Sequence, residues 1–188
     1  MLKEQRLASN GSEQRGGIVW LTGLSGAGKT TLAEATRELL VHSGTACVVL
    51  DGDRLRAGLN RDLGFSAADR EENMRRTAEA AALFLEQGFV VLVATISPSA
   101  AARAAIRDRF REAAFAEVYV KCPLAVCEDR DPKGLYGRAR RGEIRQFTGI
   151  DAPYEPPDRP ELILDTERIS VEDNARALAH SVRSMLAD

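Results

Sequence analysis

Gly23-Leu24-Ser25-Gly26-Ala27-Gly28-Lys29-Thr30 has the residue types and spacing G-x-x-x-x-G-K-[ST] of a phosphate-binding loop. The chemistry it would serve is the grip on a nucleotide triphosphate. Gly23, Gly26 and Gly28 let backbone N–H groups converge on phosphate oxygens where side chains would clash. Ser25, Ala27 and Thr31 complete the phosphate-contacting run. Lys29 would reach the β- and γ-phosphates, and the Thr30 hydroxyl would sit on Mg²⁺. The helix expected to open at Thr30 adds the partial positive charge of its N-terminus.

Phosphoryl transfer needs positioning and charge neutralisation more than covalent chemistry. Asp51 and Asp53 follow an apolar run and are candidates for that work. One could bind Mg²⁺ and the other take a proton from an acceptor hydroxyl. The plainer reading of either alone is a turn or helix-cap residue. Arg56, Phe65, Arg70 and Asn73 cluster downstream, with Arg70 and Asn73 three apart on one helical face. Arginines so placed could grip an anionic acceptor bidentately, although Arg75 and Arg76 read equally well as a solvated surface. Lys133 lies between Pro132 and Gly134, ahead of Arg138, Arg140, Arg141 and Arg145. A mobile basic segment of this kind would exclude water on closure. Ser97 could bind phosphate, but its residue type ahead of a helix favours a cap.

The elements that must position these residues alternate. Strands are expected at Ile18–Leu21, Cys47–Leu50, Phe89–Val93, Val118–Val120 and Leu162–Leu164. Helices are expected from Thr30 to about Ser43, Ser66 to Gly88, Ser99 to about Ala114, and Ser170 to about Leu186. The expected fold is α/β: a parallel sheet of about five strands with helices on both faces. Ligands would then gather beyond the strands' carboxyl ends, which brings Gly23–Thr30, Asp51–Asp53 and Thr95–Pro98 around one crevice. Residues 1–16 read as a flexible arm and 17–188 as one domain. Residues 131–160, rich in Arg, Lys, Gly and Pro without apolar periodicity, read as a lid.

Composition narrows the function classes. A net charge of −2 gives no electrostatic case for nucleic acid or an anionic membrane. Aromatics at 5% argue against a base-stacking platform. Cys47, Cys122 and Cys127 are too few and too irregular for a disulfide framework or a zinc site, and read as buried thiols of a cytoplasmic protein. No run is long enough for a membrane span.

Taken in order, several strings resemble the adenylylsulfate (APS) kinase family. Beyond the phosphate loop these are Asp51-Gly52-Asp53-Arg54-Leu55-Arg56, Gly58-Leu59-Asn60-Arg61-Asp62-Leu63-Gly64-Phe65-Ser66 and Asp69-Arg70-Glu71-Glu72-Asn73. Ile96-Ser97-Pro98, Arg130-Asp131-Pro132-Lys133-Gly134-Leu135-Tyr136, Phe147-Thr148-Gly149-Ile150-Asp151 and Pro153-Tyr154-Glu155-Pro156-Pro157 follow. The resemblance implies an ATP-dependent phosphotransferase with APS as acceptor, giving ADP and 3′-phosphoadenylyl sulfate (PAPS). It implies that Asp53 handles the acceptor's 3′-hydroxyl and that Lys133 acts on the transferred phosphate. Arg56, Arg70 and Asn73 would grip the acceptor's charged and sugar parts, with Ile96 and Ser97 beside them. Phe65 and Phe147 would sandwich the acceptor adenine, and Arg130 and Thr166 would flank the ATP base. It further implies a homodimer and a functional link to ATP sulfurylase.

The chain departs from the family pattern in places. Its N-terminal arm is short and polar, Ser99-Ala100 stands where a Tyr-Arg pair is usual, and Thr95 replaces an apolar residue. Two other readings remain open at this level. One is a same-fold kinase with another acceptor, such as a sugar acid; the other is a non-catalytic nucleotide-binding module.

Overall fold

A computed structural model describes residues 15–187. Five strands are formed by Gly17–Thr22 (β1), Cys47–Asp51 (β2), Val90–Ala94 (β3), Phe115–Lys121 (β4) and Leu162–Asp165 (β5). They build one sheet in the order β2-β3-β1-β4-β5, and every neighbouring pair is parallel. Helices α1 (Lys29–His42), α2 (Gly52–Ala57), α3 (Ala67–Leu85), α4 (Ala100–Arg109), α5 (Leu124–Arg130), α6 (Leu135–Arg140) and α7 (Val171–Ala187) connect and flank them.

The period-two alternation of the central strands explains why both faces are covered. Val19 and Leu21 of β1, with Val90 and Leu92 of β3, join the cluster that includes Leu32 and Leu40 of α1 and Leu178 and Val182 of α7. Ile18 and Trp20 of β1, with Val91 and Val93 of β3, face Met74, Ala78 and Ala81 of α3 and Ile106 of α4. β1 is therefore apolar from Gly17 to Leu21 and fully buried to Thr22, the signature of a central parallel strand. Each such Val, Leu or Ile side chain contributes roughly 1.5–3 kcal/mol by leaving water.

The long helices start where side chains can satisfy their first amides. Ser66 caps α3 through the Asp69 amide, and Ser99 caps α4 through the Ala102 amide. The expected Ser97 cap is thus displaced by two residues. Three short helices, α2, α5 and α6, depart from expectation. Asp51 caps α2 by accepting from the amides of Asp53 and Arg54. Helix α6 lies inside the segment expected to be irregular, entered through Gly134 at φ 64° and held by Asp131, which accepts from the Tyr136 and Gly137 amides. Of the expected arm, residues 1–14 lie outside the described residues.

Candidate active site

The carboxyl ends of β1, β2 and β3 open on a cavity of about 580 Å³. This is the crevice position that strand-order reversal about a central strand creates. Its lining joins the phosphate loop to Asp51, Asp53, Arg56, Phe65, Arg70, Asn73, Ile96, Ser97, Arg130, Lys133, Phe147 and Thr166. Only Gly23 and Ala27 among the expected site residues lie off that lining. Both are buried under the loop; a Cβ at Gly23 would meet the Val120 carbonyl oxygen at 2.5 Å, so no side chain fits there.

The donor side is built by the turn from β1 into α1. Gly26 and Gly28 hold φ values of 74° and 93°, which a side chain would resist. Gly28 occupies the N-cap position of α1 without any side-chain cap, so the first-turn amides keep their donors for a ligand. Lys29 is 8% exposed, and its Nζ donates to the carbonyls of Gly23 at 2.9 Å and Leu24 at 2.7 Å. Burial, with the nearby Lys133 charge, pushes its pKa down to about 8. A cation held this way is pre-placed and short of counter-charge.

Thr30 Oγ1 donates to Asp51 Oδ2 at 2.6 Å. The other carboxylate oxygen of Asp51 accepts from the Asp53 and Arg54 amides, each at 3.0 Å. Burial works to raise the Asp51 pKa, but these hydrogen bonds outweigh it and hold the group below the ordinary carboxylate value. Asp51 is therefore both a helix cap and an anionic oxygen donor beside Thr30. A hydroxyl and a carboxylate in contact are hard oxygen ligands, and they fit Mg²⁺.

Asp53 extends from the first turn of α2 and pairs with Lys133. Both side chains are at least half exposed, so this ion pair sits in water and breaks at little cost. Arg56 lies 4.5 Å over the Phe65 ring while donating to the Gly64 carbonyl at 2.9 Å. Arg70 is more committed than its sequence position suggests. Its guanidinium donates to the carbonyls of Phe65 and Gln146 and to Thr148 Oγ1. It therefore braces the residues on either side of Phe147 as well as Phe65. Phe65 is 55% exposed, whereas Phe147 is 8% exposed and packs edge-on against Tyr136 at 5.0 Å.

Asn73 Oδ1 accepts from Asn60 Nδ2 at 3.0 Å, which turns the Asn73 NH₂ group free for a ligand. Ser97 is 3% exposed with φ 47°. Its hydroxyl accepts from Trp20 Nε1 at 2.8 Å and contacts Thr95 Oγ1 at 2.6 Å. The polar Thr95 thus satisfies a buried hydroxyl. Arg75 and Arg76 both pair with Glu72, and Arg76 also pairs with Asp62, so the solvated-surface reading holds for them.

On the far side of the loop, Thr166 Oγ1 donates to the Ala27 carbonyl at 2.9 Å, and Arg130 donates to the Thr166 carbonyl at 2.6 Å. Ile169, Val171 and Asn174 line the cavity there without having been expected. Ile169 and Val171 are apolar residues at a strand–helix turn and carry no chemical signal in the sequence, and Asn174 spends its amide on the Asp165 and Ile169 carbonyls. Thr148, the Arg70 partner, was likewise visible only as a neighbour of Phe147.

A parallel sheet ending in a glycine loop and an uncapped helix, with a lysine, a threonine and two aspartates converging, defines a nucleotide-dependent kinase of the P-loop type. The chain belongs to the adenylylsulphate kinase family, whose model matches residues 15–165. It is 54% identical over 171 residues to the adenylyl-sulfate kinase of Geotalea uraniireducens, covering 91% of this chain and 82% of that one. The Paraburkholderia xenovorans adenylyl-sulfate kinase is 55% identical over 172 residues, covering 91% and 96%. The Mycobacterium tuberculosis APS kinase, solved in complex with AMPPNP and APS, superposes with a TM-score of 0.86 at 48% identity, covering 90% of this chain and 98% of that one. A gluconokinase from Sinorhizobium meliloti, at 16% identity and a TM-score of 0.60, shares the fold alone.

Proposed function

We propose that the protein transfers the γ-phosphate of ATP to the 3′-hydroxyl of APS, giving ADP and PAPS. The observation that carries this reading is the Lys133–Asp53 ion pair, formed inside a cavity lined by both the phosphate loop and the Arg56–Phe65 wall. Family membership and the relative solved with AMPPNP and APS support it.

In this reading Lys29 and the first-turn amides of α1 hold the donor phosphates. Thr30 and Asp51 would hold Mg²⁺, which when bound neutralises charge on the phosphate oxygens. Asp53 accepts the proton of the 3′-hydroxyl as that oxygen bonds to the γ-phosphorus. The bond from γ-phosphorus to the bridging oxygen breaks, and its electron pair leaves with ADP. Lys133 moves from Asp53 to the transferred phosphoryl group, which frees the base as the donor charge arrives. Arg56 and Asn73 face the acceptor, Phe65 and Phe147 flank its adenine, and Arg130 and Thr166 border the donor base. Because the Ser97 hydroxyl is buried and doubly engaged, we assign it to holding the Ile96–Pro98 loop and favour direct transfer over a phosphoserine.

The same reading makes 131–160 a lid on a single domain spanning 17–188. Assembly as a homodimer is part of this reading; a relative described as a hexameric APS kinase from Thiobacillus denitrificans, of which this chain covers 29%, supports self-association without fixing the number of copies. Cytoplasmic residence fits three free thiols, and among the described residues no helix is long and apolar enough to cross a membrane. A link to ATP sulfurylase is proposed because an adenylyl transfer to sulfate must supply the acceptor.

ADP release measured with APS against a panel of sugar acids and other hydroxylated acceptors tests the assignment. APS-dependent turnover is expected; its absence, or preference for another acceptor, refutes it. A purely binding module would hold nucleotide and turn over none of them.

A further inference from the structure

The string Pro153-Tyr154-Glu155-Pro156-Pro157 and Arg103 take no part in the chemistry above, yet they meet in one knot. Arg103 is 4% exposed. Its guanidinium donates to Glu117 Oε1 at 2.6 Å, to the Ser97 carbonyl at 2.7 Å and to the Glu155 carbonyl at 2.7 Å. Glu155 answers with its amide on the Pro98 carbonyl at 3.0 Å, and its carboxylate accepts from the Ala100 amide at 2.6 Å. Beside it, the Tyr154 hydroxyl lies 2.9 Å from Thr22 Oγ1, which itself bonds the Ile96 carbonyl at 2.7 Å. Thr22 is the last residue before the phosphate loop.

Three functional segments are therefore tied at one point around the buried Arg103: the entrance of the donor loop, the Ile96–Pro98 loop and the end of segment 131–160. The tie has something to hold. Ser97 is not a glycine, and its positive φ is a sparsely populated conformation that persists only where its surroundings dictate it. Its carbonyl is held by Arg103, and its hydroxyl by Trp20 and Thr95.

We infer that Arg103 and Tyr154 are positioning residues for phosphoryl acceptance. They set the Ile96–Pro98 loop in register with the phosphate loop, and they fix one end of the lid so that closure moves the part carrying Lys133. The inference rests on the phosphotransfer reading for its substrate. Its physical basis is that a displacement on the order of 1 Å at the acceptor can cost about a hundredfold in rate while leaving donor binding intact.

Tyr154→Phe removes one hydroxyl and keeps the stack on Tyr119, whose ring centre lies 6.2 Å away. Arg103→Lys keeps the charge but cannot reach three acceptors in a fork. With APS, kcat should fall about tenfold in the first variant, the scale of one buried hydrogen bond, and about a hundredfold in the second. KM for ATP and the Kd of ADP should stay within about twofold, and turnover should recover in neither variant at saturating APS. Amide exchange in the ligand-free protein should accelerate together at residues 95–100 and 148–155. Unchanged kcat, equal losses toward ATP and APS, or faster exchange in only one segment would overturn the inference. If the unsubstituted protein fails to turn over APS, the functional reading falls, and the exchange data alone decide whether the knot couples the two loops.

Discussion

Lys29 and Lys133 are two cations on one cavity, and the fold treats them differently. Lys29 is buried, its ammonium satisfied by two loop carbonyls and its pKa pushed down to about 8. Lys133 is half exposed on a separate segment and, in the proposed mechanism, would come to the phosphate from its partner Asp53. Lys29→Ala should therefore abolish nucleotide binding and turnover together. Lys133→Ala should lower kcat by roughly 10²–10³ while ATP affinity changes only a few-fold, because its proposed contact is made in the transition state. Steady-state kinetics beside ADP titration separate the two; a Lys133 effect confined to KM would contradict the role. Asp53→Asn should lose about 10²–10⁴ in kcat with binding retained, the range of a lost general base. The cysteines mark the opposite extreme. Burial pushes the thiols of Cys47 and Cys127 up to about 12, so at neutral pH both are neutral. Alkylation by iodoacetamide at pH 8 should be much slower in the folded protein than after unfolding. The same raised values mean that the folded state loses stability as pH climbs from 9 toward 12, where unfolded thiols ionise first.

At the scale of elements, what was legible was whatever announced itself by period or cap. The strands showed as short apolar runs, and α3 showed as the capping-box form Ser66-Ala67-Ala68-Asp69 ahead of a long stretch closed by Gly88. Helix α2 did not show, because six residues, Gly52–Ala57, offer no apolar period and Asp51 invites a chemical reading. Asp51 caps α2 and also meets the Thr30 hydroxyl, where the proposed function would have it hold Mg²⁺, and a residue type alone cannot distinguish a cap from a ligand. Helix α6 was hidden in a basic, glycine-rich segment; its anchor is Tyr136, whose hydroxyl donates to the Ser25 carbonyl at 2.9 Å. Long-range partners of this kind have no trace in local sequence. Arg70 makes the same point with a testable edge. The sequence suggested an anion ligand, and the structure gives it three protein acceptors beside Phe65 and Phe147. If it braces both rings, Arg70→Gln and Phe65→Ala should not be additive in APS affinity. A coupling of about 1 kcal/mol or more is expected from a double-mutant cycle; additive losses would mean that Arg70 binds the acceptor independently.

For the molecule as a whole, the strand order matters more than any single strand, and order is what alternating strand and helix signals could not supply. Placing β1 between β3 and β4 puts the phosphate loop at the centre of the sheet. Thr166 Oγ1 on the Ala27 carbonyl ties that loop to the turn between β5 and α7, and Tyr136 on the Ser25 carbonyl ties it to segment 131–160. A ligand held by the loop therefore contacts, through at most one residue, elements from both halves of the chain. Binding should stabilise the whole fold rather than one edge. At ligand concentrations about a hundred times Kd, linkage supplies about 2.7 kcal/mol. For a domain of this size that corresponds to a rise in Tm of roughly 5–10 °C. Mg²⁺ with ADP should produce such a shift in a thermal melt, as one transition rather than two. Lys29→Ala should erase it, and Lys133→Ala should leave most of it, since in the proposed mechanism Lys133 touches the phosphate being transferred and not the product diphosphate. A shift that depends equally on both lysines would mean that lid closure is already part of donor binding, and would move the role of Lys133 from the transition state to the ground state.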